Sequence, residues 1–352
     1  MKAWQLVEYS KPFEEVELPD PVPTGTQVLL RVRRCGVCHS DVHIGHGYFD
    51  MGEGTKFQLK DRGMKLPLTL GHEVLGEAVA AGPDAPNPPI GRTMLVNPWI
   101  GCGDCDACNE ERDNDCIKMR ALGVVRDGGY ATHIMVDHPR FLVDVEGLDP
   151  SEATPYSCSG VTVYSGLKKA LPIREGEWLA VLGAGGLGLA AVNIAKAMGA
   201  ANVVAVDLDD AKLETAREMG ADAVLNLGSV ENGVAALTEI AGGELTAVLD
   251  TVGAEPTSQL GIHALKKTGR YVIVGLHGGG LKMPLPMLPQ KAMTLRGSYV
   301  GSTRDLEELI ALAKAGKVRA VPIEERPMEA ASETLAQLER GEIVGRVVLT
   351  TE

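Results

Sequence analysis

Four thiols fall within fifteen residues in the run Cys102-x2-Cys105-x2-Cys108-x7-Cys116. Thiolates at that density are the ligands of tetrahedral zinc, and a compact loop can wrap the ion with all four. A cubane iron–sulfur site would want a shorter last gap followed by proline, whereas Ile117 stands there. The loop also holds Asp104, Asp106, Glu110, Glu111, Asp113 and Asp115 against one Arg112, which argues against a nucleic-acid finger. Four thiolates leave no open coordination position, so the expected role of this metal is structural. Cys35, Cys38 and Cys158 remain. Cys38 lies in Gly36-Val37-Cys38-His39-Ser40-Asp41-Val42-His43, and Gly71-His72-Glu73 follows further along. Taken singly, each has a plain reading: a buried small hydrophobe, or a satisfied core histidine. A second Cys/His set accompanied by a nucleotide fingerprint changes that weighting, because three protein ligands plus one exchangeable position is what a catalytic zinc requires.

The fingerprint is Gly183-Ala184-Gly185-Gly186-Leu187-Gly188, which matches G-x-G-x-x-G. Alone it could be a turn that serves only packing. Here it follows an apolar run at 179–182, opens a helical stretch, and precedes Asp207, nineteen positions after Gly188 and directly after the apolar run 203–206. Glycines let the backbone approach a pyrophosphate, and the helix N-terminus faces its charge. The carboxylate accepts hydrogen bonds from the adenosine ribose and repels a 2′-phosphate, which favours NAD over NADP. By contrast, Gly278-Gly279-Gly280 runs into Pro284 and Pro286 and reads as a flexible loop.

These residues must be positioned by two kinds of texture. Residues 1 to about 155 read as short β-rich segments broken by turns, with a strand at 28–32 and a proline-rich loop at 83–89. From Glu177 the apolar runs 179–182, 203–206, 247–249 and 271–274 read as buried parallel strands. Helices alternate with them, over 187–198 and 209–219, ending at Gly199 and Gly220. A helix at 305–315 and a strand at 347–349 form a tail assignable to either half.

The chain has 352 residues, 45% hydrophobic and 23% charged, the balance of a folded protein of two domains. With 34 basic and 47 acidic residues the net charge is −13, which opposes binding to nucleic acid or an anionic membrane surface. The start of the chain has no apolar segment of a signal peptide, and the longest apolar stretch, 178–192, is too short to span a bilayer. The expected compartment is the cytoplasm, where an odd count of seven cysteines argues against a disulfide framework.

Together the residues resemble the zinc-dependent medium-chain alcohol dehydrogenases. The likeness rests on GVCHSD at 36–41, GHE at 71–73, the four-cysteine loop, the segment Ser157-Cys158-Ser159-Gly160-Val161-Thr162 and the GAGGLG turn. It implies an α/β fold in which a Rossmann coenzyme domain, at 156–290, is inserted into a GroES-like β-barrel catalytic domain built from 1–155 and 291–352. It implies two zinc ions per chain and NAD. Cys38, His72 and Cys158 take the places of the catalytic zinc ligands, and Cys102, Cys105, Cys108 and Cys116 those of the structural site. Glu73 resembles the carboxylate that approaches the zinc during ligand exchange, and Asp41 the acid that orients His72. Ser40 and His43 resemble a proton relay. His39 and Arg346 match positions at the coenzyme pyrophosphate, Lys212 the lysine at the adenosine ribose, and Thr162 and Val274 the nicotinamide end. The reaction implied is hydride transfer between an alcohol and NAD, giving an aldehyde or ketone, in a homo-oligomer (a tetramer or a dimer).

The chain is longer between Cys38 and His72 than shorter members of the family, the extra stretch being 47–65. It reads equally as a loop at the substrate cleft or an oligomer contact, and as a solvated excursion on the barrel. His46 and Asp50 read as surface residues rather than extra ligands, and Cys35 as a buried hydrophobe. Trp99 and Leu276 are candidate pocket walls, which suits an apolar primary or secondary alcohol, aromatic ones included. Within the same fold the alternatives are a polyol, a thiol adduct or an acyl-CoA-linked alcohol. From another class, the alternative is a non-catalytic NAD-binding structural protein, which would be expected to lack one of Cys38, His72 or Cys158.

Overall fold

The apolar runs of the second half are buried because they sit inside a sheet covered on both faces. In the computed structural model, which describes residues 1–351 (of Arg62 the backbone alone), six parallel strands stand side by side. Their order is Ala223–Asn226, Asn202–Asp207, Trp178–Leu182, Leu245–Asp250, Leu265–Ile273 and Thr294–Gly297. The chain reverses its direction of travel across the sheet between Trp178–Leu182 and Leu245–Asp250, and a crevice for a ligand opens at the carboxyl ends of strands at such a point. The helix Gly186–Ala197 leaves the first of these strands through the glycine turn, and Leu189, Ala191, Ile194 and Ala195 bury its inner face.

The first half forms antiparallel sheets. Val28–Gly36 is the central strand of the larger one, paired with Glu73–Ala81 on one side. On its other side the strand Arg346–Thr350, from the end of the chain, pairs Val348 with Gly36. The ambiguous tail is thus divided. Its last strand belongs to the antiparallel sheet, while Thr303–Lys314 packs Leu306, Leu309 and Ile310 into the core that includes Val161, Leu167 and Leu249. The parallel sheet also runs past the expected limit of 290, because Thr294–Gly297 pairs with Leu265–Ile273. An edge strand of sequence Thr-Leu-Arg-Gly, mostly exposed, has no apolar run to betray it.

The extra stretch at 47–65 begins as a hairpin. Tyr48–Asp50 pairs with Lys56–Gln58, setting Phe49 opposite Phe57. Its turn reaches the other half of the molecule. A Cβ on Gly52 would lie 2.7 Å from the carbonyl carbon of Gly279, and one on Gly278 would lie 2.7 Å from the Asp50 oxygen. The triple-glycine loop is therefore a seat into which the hairpin backbone packs, and Phe49, Met51 and Phe57 line the large cleft beside it. Among the described residues, no helix is long and apolar enough to cross a membrane.

Gly278 has a φ of +117° and no room for a side chain, so Gly278→Val should strain the backbone by about 1–3 kcal/mol and lift the hairpin off its seat. Faster tryptic cleavage after the exposed Lys56 and Lys60 is the expected result; cleavage at the unsubstituted rate would show that the hairpin does not depend on this contact.

Candidate active site

Both cysteine groups converge. The Sγ atoms of Cys102, Cys105, Cys108 and Cys116 all lie within 4.8 Å of one another. Cys105 stands 3.5 Å from Cys108 and 3.8 Å from Cys116, and thiolates at Zn–S distances of ~2.3 Å would be about 3.8 Å apart. A backbone N–H at the turn holds the Cys105 thiol down at about 7, and burial pushes Cys108 up to about 12. The loop is braced by Arg140, which donates to Asp113 at 2.7 Å, and by Asn114, which donates to the Tyr299 carbonyl at 3.3 Å.

The second group comprises Cys38, His72, Glu73 and Cys158, again with ligand atoms mutually within 4.8 Å. Cys38 is the N-cap of the helix His39–His46, and Cys158 is the N-cap of Ser159–Ala170. Both thiols therefore face helix N-termini, whose partial positive charge favours thiolate. Their Sγ atoms are 4.0 Å apart. Hydrogen bonding from Cys158 pulls Cys38 well below the usual thiol range against the effect of burial, and the Cys38 thiolate in turn holds Cys158 up.

His72 is fully buried. Its Nδ1 lies 3.0 Å from Asp41 Oδ1, and Asp41 Oδ2 accepts from the Cys38 backbone N–H and from the Tyr130 hydroxyl, each at 3.0 Å. Burial alone would lower the His72 pKa, but Asp41 and Cys38 raise it above the usual range. The other ring nitrogen, Nε2, is buried without any partner. Leaving a polar group unpaired in the interior costs about 1–3 kcal/mol. A nitrogen lone pair held among two thiols fits a metal ion, and the donor set of two sulfurs and one imidazole is one that zinc takes.

Glu73 is also fully buried, and burial pushes its carboxyl up to about 7 while Arg346 opposes the shift. Arg346 pairs with Glu73 Oε1, leaving Oε2 unpartnered. The arginine side chain passes directly beneath Gly186, where a Cβ would strike its Cδ.

A cleft of about 2090 Å³ connects this group to the glycine turn. His39, Ser40, His43, Thr162, Gly183, Gly185, Gly186, Leu187, Gly188, Asp207, Lys212, Val274 and Arg346 line it, together with Cys38 and Cys158. Asp41, His72 and Glu73 lie beneath its floor. Gly183 has a φ of +92°, and Gly185 caps the helix Gly186–Ala197. Asp207 accepts from the Ala184 N–H at 2.6 Å and from the Leu208 N–H at 2.7 Å, which fixes its carboxylate at the mouth of the glycine turn. Burial, followed by the neighbouring His39, lowers His43 to about 4.

Other residues join the site, among them Trp99 and Leu276, the candidate walls named from the sequence. Trp99 is buried, with its ring 5.6 Å from that of His72 and 6.2 Å from that of Tyr299. Met119, Ala121, Val124 and Val300 cluster with Trp99 around Cys38 and Cys158. Phe49 packs its ring 5.1 Å from His43. Leu276, at 45% exposure, lies on the cleft wall. His46 and Asp50 are engaged elsewhere: His46 lies between Ser10 and Glu339, and Asp50 caps the Gly52 N–H. Cys35 is fully buried, as expected of a small hydrophobe.

Comparison with known proteins shows similarity along almost the whole chain. The alcohol dehydrogenase GroES-like domain family matches residues 24–147, and the zinc-binding dehydrogenase family matches residues 186–315. An NAD-dependent alcohol dehydrogenase of Sulfurisphaera tokodaii is 38% identical over 99% of both chains. The solved alcohol dehydrogenase of Aeropyrum pernix superposes with a TM-score of 0.90 at 31% identity, covering 99% of this chain and all of that one. The acetophenone reductase of Geotrichum candidum, solved in complex with NAD, gives a TM-score of 0.84 at 30% identity, covering 99% of this chain and 96% of that one.

The position of Asp207 sets an expectation for coenzyme choice. Hydrogen bonds to a charged group are worth about 1.5–3 kcal/mol, so Asp207→Gly should lower NADH affinity by roughly 10- to 100-fold and narrow the preference over NADPH. Fluorescence titration with both coenzymes measures this; an unchanged ratio would show that the carboxylate is not the discriminator.

Proposed function

The chain belongs to the zinc-dependent medium-chain alcohol dehydrogenase family, with zinc and NAD as cofactors, and on that premise we propose that it oxidises apolar primary and secondary alcohols, aromatic ones among them, to aldehydes and ketones and catalyses the reverse reduction. The observation that carries this reading is the convergence of Cys38, His72 and Cys158 around an unpartnered imidazole nitrogen at the floor of a cleft with apolar walls.

Cys38, His72 and Cys158 hold the catalytic zinc, and Cys102, Cys105, Cys108 and Cys116 the structural one. When bound, zinc supplies Lewis-acid stabilisation of charge on the substrate oxygen, and NAD supplies the hydride acceptor. Asp41 keeps the His72 proton on Nδ1, which frees Nε2 as a ligand, and Tyr130 holds Asp41 in place. Glu73, with one unpartnered oxygen, stands behind the ligands as a reserve donor during ligand exchange. Thr162 and Val274 seat the nicotinamide end. The glycine turn, His39 and Arg346 face the diphosphate, and Asp207 with Lys212 faces the adenosine ribose. Ser40 takes up the hydroxyl proton, and His43, one turn along the same helix, passes it to solvent. Burial lowers the His43 ring to about 4, so the ring is neutral at pH 7 and gives up to solvent any proton that reaches it.

The apolar wall supports the proposed substrate class. Trp99, Met119, Ala121, Val124 and Val300 offer no partner for additional hydroxyls, so a polyol would lose hydration without recovering hydrogen bonds. The name of the Geotrichum candidum relative, an acetophenone reductase, points to an aromatic ketone in a related cleft. We place the enzyme in the cytoplasm, because seven cysteines without a disulfide, six of them in two metal-binding groups, suit a reducing compartment. We also propose a homo-oligomer: the edge strand Thr294–Gly297 is open, and Leu281 and Leu285 are exposed on the same half of the chain.

Two measurements test the reading. Cys38→Ala should reduce bound zinc from about two ions per chain to about one and abolish NADH production across a panel of apolar alcohols; preserved turnover would refute the ligand assignment. In His43→Ala, alcohol oxidation should slow by roughly 10-fold or more near pH 6, less than the ~10²–10⁴ typical of an irreplaceable acid–base group. The deficit should narrow above pH 8 as hydroxide replaces the ring as acceptor, so a loss of equal size at every pH would count against the relay.

A further inference from the structure

The helix His39–His46 carries histidines at 39, 43 and 46. His39 and His43 are four residues apart and so share one helical face, which lines the cleft. His46 is committed elsewhere, with Nδ1 2.9 Å from Ser10 Oγ and Nε2 2.9 Å from Glu339 Oε1. The other two differ. Among the described residues, neither His39 nor His43 has a side-chain hydrogen bond, and their ring–ring contacts are with each other and, for His43, with Phe49.

Their ring centroids are 5.3 Å apart, with planes inclined at 63°. A tetrahedral ion bound by two imidazole nitrogens at ~2.05 Å would have each ring centroid about 3.2 Å away, and the two centroids about 5.2 Å apart. Among the described residues the pair is thus already spaced as a chelate, with ring nitrogens that make no hydrogen bond and the open cleft in front of it. Imidazole suits nickel, copper and zinc alike, and geometry, ligand type and availability, rather than raw affinity, decide which one binds.

We propose that His39 and His43 form a third transition-metal site, a two-imidazole chelate completed by water, whose occupant and the coenzyme exclude one another. The site is distinct from both thiolate groups. It lies on the cleft wall that the proposed function assigns to the coenzyme diphosphate and the relay, so the exclusion rests on that reading, whereas the chelation does not. A divalent ion bound there would occupy coenzyme space and withdraw both lone pairs from their other work. The enzyme would then be inhibited by excess metal of the kind it requires at its other two sites.

The test uses Ni²⁺ as probe, titrated calorimetrically into the zinc-replete enzyme so that both thiolate sites are already filled. One Ni²⁺ per chain should bind, with an apparent affinity at least tenfold weaker in saturating NADH. Binding should disappear in His39→Gln and in His43→Gln and persist in His46→Gln, with zinc content reporting that each variant is folded. No Ni²⁺ uptake, or equal uptake in either of the first two variants, would overturn the site. Binding that NADH leaves undiminished, although NADH itself binds, would overturn the exclusion. Failure of NADH to bind at all would instead count against the coenzyme reading, and the Ni²⁺ titrations in the absence of NADH still decide the chelate. The competition in the unsubstituted chain keeps the proposal falsifiable even if a variant does not fold.

Discussion

A buried imidazole nitrogen without a protein partner governs how this structure is built. His72 Nε2 sits in a fully enclosed position, and its ring cannot rotate to relieve the deficit because Nδ1 is tied to Asp41. Asp41 is itself held by the Cys38 backbone and by Tyr130. The network therefore fixes the aim of the ring before any ion arrives. The two sulfurs are supplied by helix N-caps from segments 120 residues apart in sequence. A metal that satisfies all three donors adds its binding free energy to the stability of the junction between these segments.

The same junction explains why the end of the chain returns to its first sheet. Arg346 opens the last strand, runs beneath the glycine turn at Gly186, and ends on Glu73, which neighbours His72. One side chain thus touches the floor of the cleft at the glycine turn and the back of the Cys38, His72 and Cys158 group. A buried ion pair gains little net stability once desolvation is counted. Its value here is positional, since moving Gly186 would move the charge beside Glu73. The raised pKa of Glu73 records how incompletely Arg346 offsets its burial.

Spacing carried most of what the sequence made legible. Four cysteines in one loop, glycines at fixed intervals before an acid, and apolar runs of strand length are local patterns, and each corresponds to one local structure. Tyr130 shows the limit: it is a single residue after two glycines, and only the folded chain brings its hydroxyl to Asp41. The apolar wall is similar, because Met119 and Val124 share one connecting segment without a regular period and Val300 comes from a distant one. The stretch at 47–65 could be identified as extra from its length, but not as a hairpin seated on the triple-glycine loop. That contact is between backbones, which leave no trace in side-chain type beyond the glycines that permit it. The strand past 290 escaped notice for the opposite reason, since its residues look like those of a surface loop.

The division into a catalytic and a structural metal site is less sharp than the coordination chemistry alone implies. The four-cysteine loop has no vacant position, yet its flanks build the pocket: Trp99 lies just before Cys102, and Met119 just after Cys116. From inside the loop, Asn114 holds the carbonyl of Tyr299, whose ring meets Trp99. Trp99 in turn lies against His72 and donates to the carbonyl of Ser157, next to Cys158. Without an ion to close them, four thiols in an acidic loop would have little to hold them together, since the loop buries few apolar groups. An ion that closed the loop would therefore hold the apolar wall against His72 and the Cys158 segment, which ties the four-cysteine group to the second donor group through Trp99.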